Sequence, residues 1–192
     1  NAGDLETKGF ELAINWKDQF KLAGKPFSYG VSAMLSDNKS TITKYDNPNN
    51  LLSSRYVGQS IGEIWGYSVG GLFQTDQEAA DYTVDQSYVN SRIRSAPGDW
   101  SRLQAGDVKF LDLNGDNKIN PGANTLEDHG DLKIIGNSNP RFRYGFNLSA
   151  SWNGFDISGF VQGIARRHWY PGTNADKFWG PYSRPYYSFL PK

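Results

Sequence analysis

Tyr144 to Gly163, YGFNLSASWNGFDISGFVQG, reads as two β-strands joined by the two-residue turn Asn153-Gly154. Asn-Gly readily supplies two successive positive φ angles, which a type I′ hairpin turn requires. In the first arm Tyr144, Phe146, Leu148, Ala150 and Trp152 share one face, and Gly145, Asn147, Ser149 and Ser151 the other. In the second arm Phe155, Ile157, Gly159 and Val161 alternate with Asp156, Ser158, Phe160 and Gln162. Period two is the signature of a half-buried strand. Each arm has about nine residues, and about 9–11 residues of tilted strand cross a bilayer. Trp152 and Phe155 place aromatic rings beside the turn, as the interfacial girdle of a membrane barrel does. A hairpin of a soluble β-sandwich shares the alternation.

The same design recurs upstream. In Lys8–Trp16, Phe10, Leu12, Ile14 and Trp16 alternate with Glu11, Ala13 and Asn15. Lys17–Pro26 reads as a polar connection turning at Gly24-Lys25-Pro26. Phe27–Ser36 then sets Phe27, Tyr29, Val31, Ala33 and Leu35 against small, mostly polar residues. Two hairpins, 8–36 and 142–166, are therefore expected. A long segment, 37–141, lies between them and a further stretch, 167–192, follows. Connections this long carry function or structure of their own. Within the first, Thr41–Tyr45 can extend the preceding strand and Tyr56–Phe73 reads as short strands or bends. Thr75–Arg94 holds the one helix candidate, with Thr75 and Glu78 as a capping box and Pro97-Gly98-Asp99 beyond its end. Short connections at one end and long ones at the other fit an outer-membrane barrel with tight periplasmic turns and long external loops.

Composition is consistent with this. The 192 residues carry 20 basic and 20 acidic side chains, so no charge excess points to nucleic acid. There is no cysteine, which removes disulfides, zinc-thiolate sites and thiol catalysis. Aromatics make up 15% of the chain and glycine is abundant, which suits all-β architecture. No apolar run is long enough for a membrane helix, whereas barrel strands leave only a weak hydropathy signal. The abrupt ends, Asn1 and Lys192, suggest a piece of a longer protein.

One motif carries chemistry. Asp112-Leu-Asn114-Gly-Asp116-Asn-Lys118-Ile-Asn120 offers oxygens at positions 1, 3 and 5 and the Lys118 carbonyl at 7, as a calcium loop does. Asn117 takes the position usually held by glycine, and asparagine tolerates the left-handed region. Ile119 would pin the loop to a core. The strict pattern needs an acid at position 12, where Ala123 stands. Glu127, Asp128 or Asp131 could reach back if 121–127 loops out. An Asn/Asp/Gly turn without metal has the same composition. His129 and His168 lack a catalytic pattern, and the adjacent acids Glu127 and Asp128 read as solvated, so no enzyme is expected. The aromatics also permit a sugar-stacking role, although packing is the commoner use of any one ring.

Taken together, these stretches resemble the SusC/RagA family of TonB-dependent outer-membrane transporters. The resemblance rests on Asn1-Ala2-Gly3, Lys8–Leu12, Leu35–Lys39, Gly58–Tyr67 and Gly71–Gln74. It continues through Gly106–Phe110, the Asp112–Asn120 loop, Ile134–Asn137, Pro140-Arg141-Phe142 and the Tyr144–Gly163 hairpin. It implies a slice, residues 1–192, near the C-terminal end of a plugged barrel of about 22 strands. It further implies a SusD-like surface lipoprotein as lid, glycans or peptides as cargo, and TonB acting through parts absent here. The family's loop usually reads D-x-N-G-D-G-K-I-D-x-x-D and precedes R-x-I-I-G, so the closing acid corresponds to Asp131. Asn117, Asn120 and extra residues before Asp131 depart from that pattern. The expectation is thus an all-β partial transmembrane β-barrel of antiparallel hairpins with long extracellular loops and little helix, in the outer membrane. A structural calcium would be held by Asp112, Asn114, Asp116, Lys118 and Asp131. The alternative is a soluble, secreted β-rich carbohydrate-binding module with a calcium-stiffened loop. In the first case Phe10, Leu12, Ile14, Val31, Leu35, Leu148 and Ile157 contact lipid; in the second they form a dry core.

Overall fold

The computed structural model describes residues 3–90 and 102–169, with the backbone of 179–180 and 184–185. Four long strands form one antiparallel sheet: β1 (Asp4–Leu22), β2 (Lys25–Lys44), β7 (Arg141–Trp152) and β8 (Phe155–Arg166), in the order β1-β2-β7-β8. Between β2 and β7 come β3 (Glu63–Tyr67), β4 (Val69–Leu72), helix α1 (Asp76–Asp81), β5 (Val108–Phe110) and β6 (Leu132–Asn137). β3 pairs with β6 and β4 with β5, both antiparallel. β9 (Trp179–Gly180) and β10 (Arg184–Pro185) form a short antiparallel pair. The described residues are therefore all-β with one short helix.

The register lines up the alternating faces of all four long strands. Phe20, Phe27, Trp152 and Phe155 stand in one cross-strand row at the turn end. Above it, on the same face, run Asp18–Tyr29–Ala150–Ile157, Trp16–Val31–Leu148–Gly159, Ile14–Ala33–Phe146–Val161 and Leu12–Leu35–Tyr144–Gly163. A Cβ on Gly163 would stand 2.4 Å from the Tyr144 hydroxyl, so the tyrosine occupies the space the glycine leaves. From Leu12 to Phe20 this face measures about 26 Å along the strand, at about 3.3 Å per residue. The opposite face is mostly polar: Gln19–Ser28–Ser151–Asp156, Lys17–Gly30–Ser149–Ser158 and Asn15–Ser32–Asn147–Phe160.

Both turns at this end are two-residue turns with positive φ, at Ala23 (49°) and Gly24 (76°) and at Asn153 (51°) and Gly154 (84°). The Asn153-Gly154 turn falls where the sequence places it. The first turn does not. Lys17–Leu22 is strand rather than polar connection, because Phe20 and Leu22 continue the even-numbered apolar face and pair with Phe27 and Lys25. Pro26 is tolerated in β2 because the pairing with β7 begins one residue later, at Phe27, and proline needs an edge position without a ladder partner for its nitrogen. Lys25 Nζ donates to Asn153 Oδ1 and Trp152 Nε1 donates to the Leu22 carbonyl at 3.1 Å, joining the two turns.

At the other end the first hairpin also outruns its expected limits of 8–36. β2 continues to Lys44, so 37–44 belong to the sheet and not to the connecting segment. Above Ser36, β7 no longer pairs with β2, and residues 58–61 take its place. Ile42 N donates to the Gln59 carbonyl, Gly58 N to Ile42 and Ile61 N to Ser40, at 2.8–2.9 Å. The backbone of the strand thus stays paired well beyond the apolar band.

The buried hydrophobic residues among those described are Ile42, Tyr56, Phe73, Ala79 and Ile119. All lie in the segment between β2 and β7 or at its junction with β2. The broad face of the main sheet has no such core: Leu12, Ile14, Trp16, Leu148 and Ile157 are all more than half exposed. Helix α1 ends at Asp81, shorter than the 75–94 candidate, because Tyr82 turns to extended backbone and its ring packs on Phe73 at 5.1 Å. Thr75 caps it, accepting from Glu78 N at 3.1 Å, while Glu78 Oε2 accepts from Gln74 N. Pro97-Gly98-Asp99 and most of the stretch 167–192 lie outside the described residues.

Candidate functional site

The aspartate loop runs from β5 to β6 and is built from Asx turns. Asp112 Oδ1 accepts from Gly115 N (2.7 Å) and Oδ2 from Asn117 N (2.8 Å). Asn114 Oδ1 accepts from Asp116 N (3.1 Å), and Asp116 Oδ1 from Lys118 N (2.8 Å). Each side chain turns back onto the amide two to five residues on, which curls the chain. Asn117 sits at φ 61°, the left-handed position usually given to glycine. Lys118 forms a parallel bridge with Asp85, and Ile119 beneath it is fully buried. Asp85 N donates to the Asn117 carbonyl and Ile119 N to the Asp85 carbonyl, fixing the floor of the loop.

Asp131 is brought back to the loop although it lies well past position 12. It is fully buried. Its Oδ1 accepts from Leu113 N at 2.7 Å and its Oδ2 from Asn120 N at 2.9 Å, so one carboxylate ties both ends of the loop. The intervening residues do loop out, and they dock. Thr125 bridges Leu51, Leu52 N donates to the Asn124 carbonyl, Leu126 N to the Asn50 carbonyl, and Asn50 Nδ2 to Glu127 Oε1 at 2.7 Å. Glu127 and Asp128 therefore serve different partners, since Asp128 Oδ2 accepts from Ala123 N.

The side chains of the loop also meet one another. Asn114 turns its oxygen to the backbone and its amide nitrogen toward Asp116 Oδ2, at 3.3 Å. Asn120 Nδ2 points at the same oxygen, at 3.4 Å. An –NH₂ group donates and cannot ligate a cation. Burial pushes the Asp116 carboxyl up, but hydrogen bonds from Lys118 N, Asn114 and Asn120 outweigh this and hold it below the usual carboxylate range. Among the described residues no three His, Cys, Asp or Glu side chains gather to hold a metal ion.

A second polar centre lies where the intervening segment rejoins the sheet. Asp37 is buried and accepts from Arg141 Nε at 2.5 Å, from Arg141 Nη2 and from Phe142 N at 3.2 Å. This fork-to-fork pair joins β2 to the first residue of β7, 104 positions away. The available signal was an acid continuing the apolar register Phe27, Tyr29, Val31, Ala33, Leu35, since a charge there demands a partner. Nearby, Asn137 and Asn139 both donate to the Ile61 carbonyl. His168 Nδ1 accepts from Asn137 N at 3.1 Å, while the His129 ring packs on Trp65 at 5.5 Å. The two histidines thus serve separate structural contacts. Tyr56 donates to Glu63 at 2.6 Å, and burial, followed by that carboxylate, pushes its hydroxyl up to about 12.

No family model matches the chain. Over 180 residues it is 28% identical to TonB-dependent receptor P39 of Formosa agariphila, an alignment covering 82% of this chain and 16% of that protein. Over 175 residues it is 26% identical to TonB-dependent receptor P3 of the same organism, covering 84% of this chain and 15% of that protein. The chain spans only a small share of the length of the curated relatives it matches. Both names are those of receptors and neither is an enzyme's. Together the two matches support the TonB-dependent receptor family.

Proposed function

We propose that the chain is a segment of the β-barrel of an outer-membrane, TonB-dependent importer of the SusC/RagA kind. The observation that carries this reading is the uncovered apolar face of the four-stranded sheet, closed at the turn end by the row Phe20, Phe27, Trp152 and Phe155. A lipid-facing band of about 25 Å bounded by an aromatic girdle has this layout. In this reading the Ala23-Gly24 and Asn153-Gly154 turns face the periplasm. Residues 45–140 and 167–192 face outward. There they would contact a SusD-like lipoprotein lid and a glycan or peptide cargo, while TonB acts through parts of the receptor outside this segment. The polar face, with Asn15, Ser32, Asn147 and Ser149, lines the lumen. Asp112–Asp131 braces the external region and no residue breaks bonds. The unpaired edges of β1 and β8 would continue into neighbouring barrel strands, because lipid tolerates no open sheet edge. A soluble glycan-binding module would instead need a second sheet over Leu148 and Ile157, and no described element lies there.

The test is fractionation of source cells, with antibody raised to this segment. The expected result is an outer-membrane band several times larger than 21.5 kDa, with a surface lipoprotein copurifying. A band near 21.5 kDa in a soluble or secreted fraction would overturn the reading.

A further inference from the structure

We propose that the Asp112–Asp131 loop is a metal-independent clasp, held closed by amide donors in the places where a calcium loop presents oxygens to its ion. This inference concerns the loop alone and does not rest on the importer reading. A calcium loop gathers carboxylate, amide and carbonyl oxygens around one point, and the cation offsets their mutual repulsion. Here every carboxylate oxygen of Asp112, Asp116 and Asp131 accepts a hydrogen bond from within the protein. Most of these donors are backbone amides, and N–H donors to a carboxylate form charge-assisted bonds. An oxygen with one such bond retains a second lone pair, so backbone bonds alone do not exclude a metal. Asp116 Oδ2 is different. It takes two side-chain donors, Asn114 Nδ2 and Asn120 Nδ2, which fill both lone pairs. Asn114 Oδ1 meanwhile accepts from Asp116 N, which holds the amide in the orientation that aims Nδ2 at Asp116 Oδ2. Asn120 likewise commits its Oδ1 to Gly122 N at 2.7 Å.

The sequence matches this geometry. Asn120 is an amide and supplies one of the two donors, where an ionised acid would supply none. Residues 121–130, between Asn120 and Asp131, make protein contacts of their own. Thr125, Asn124, Leu126 and Glu127 fasten this excursion to Asn50, Leu51 and Leu52. Asp131 then closes the loop by gripping Leu113 N and Asn120 N. The clasp therefore links two connecting loops to each other and needs no ion to hold its shape.

The experiment uses the full-length protein that carries this segment, in chelator and in about 1 mM calcium, a concentration that fills extracellular calcium modules. Limited proteolysis is read by mass spectrometry as the cleavage rate within 112–131. The expected result is equally slow cleavage of the wild type in both buffers. Asp131→Asn should be cut at least about ten-fold faster, and equally so with and without calcium, since one amide hydrogen would then face a backbone N–H. The proposal is overturned if the wild-type loop is cut about ten-fold faster in chelator than in calcium, the protection expected when ligand exceeds its Kd by about ten-fold. Should Asp131→Asn fail to fold, the wild-type comparison alone decides between these results.

Discussion

Leu148 and Ser149 are neighbours in the chain, and the sheet register puts them on opposite faces. Leu148→Arg would set a cation on the apolar face near its middle. If that face meets lipid as proposed, this should cost about 2–4 kcal/mol, the penalty for Arg at a bilayer midplane, and Ser149→Arg close to nothing. Heat-unfolding of the two variants in detergent micelles checks the difference. Ile119 tests the loop in the same way. It is fully buried beneath the Asp85–Lys118 bridge. Ile119→Ala should cost about 2–5 kcal/mol through lost contact and an unfilled cavity, seen as faster cutting of 45–140 with the barrel intact. Ile119 as the anchor of the loop was legible from its place in the motif, whereas the residues alone left Glu127, Asp128 and Asp131 open and only the family resemblance singled out Asp131. What Asp131 does was not legible. Its partners, Leu113 N and Asn120 N, depend on the path of 121–130, and that path is set by contacts with Asn50–Leu52, far away in sequence.

At the scale of elements, alternation located all four long strands, and Asn153-Gly154 located one turn. Gly24-Lys25-Pro26 misled because proline and glycine usually mark a connection. Here the turn is Ala23-Gly24, and Pro26 sits just outside the β2–β7 ladder, where its missing N–H costs nothing. The end of β2 was only partly readable. Its upper part is paired by 58–61 in place of β7, a substitution no local pattern announces. The joint between β2 and β7 is the Asp37–Arg141 fork. Arg141→Ala would leave a buried carboxylate with backbone amide donors alone, from Phe142 and Asn38. It should loosen the return of the chain into β7 and speed proteolysis of 45–140. Arg141→Lys keeps the charge but loses the two-pronged geometry, and should fall between wild type and alanine.

At the scale of the molecule, two regions are built on opposite rules. Residues 45–140 bury Phe73, Ile119 and Tyr56 and hydrogen-bond the buried Gln86 and Asp131 to their own backbone, as a small water-exposed domain does. The four-stranded sheet leaves its apolar face uncovered and carries mostly polar residues on the other. The same chain therefore treats water as solvent at one end and places its hydrophobic surface outward at the other, which fits a wall that meets lipid. The measurement that tests this most directly is a nitroxide scan of β7 in the full-length receptor reconstituted in bilayers. Single cysteines would be placed in turn at Phe146, Asn147, Leu148, Ser149 and Ala150, in a segment that has no cysteine of its own. The account predicts strict alternation, with labels at 146, 148 and 150 relaxed by oxygen dissolved in lipid and those at 147 and 149 by a water-soluble nickel reagent. Equal nickel access at all five positions, or protection of 146, 148 and 150 from both reagents as in a dry protein core, would contradict it.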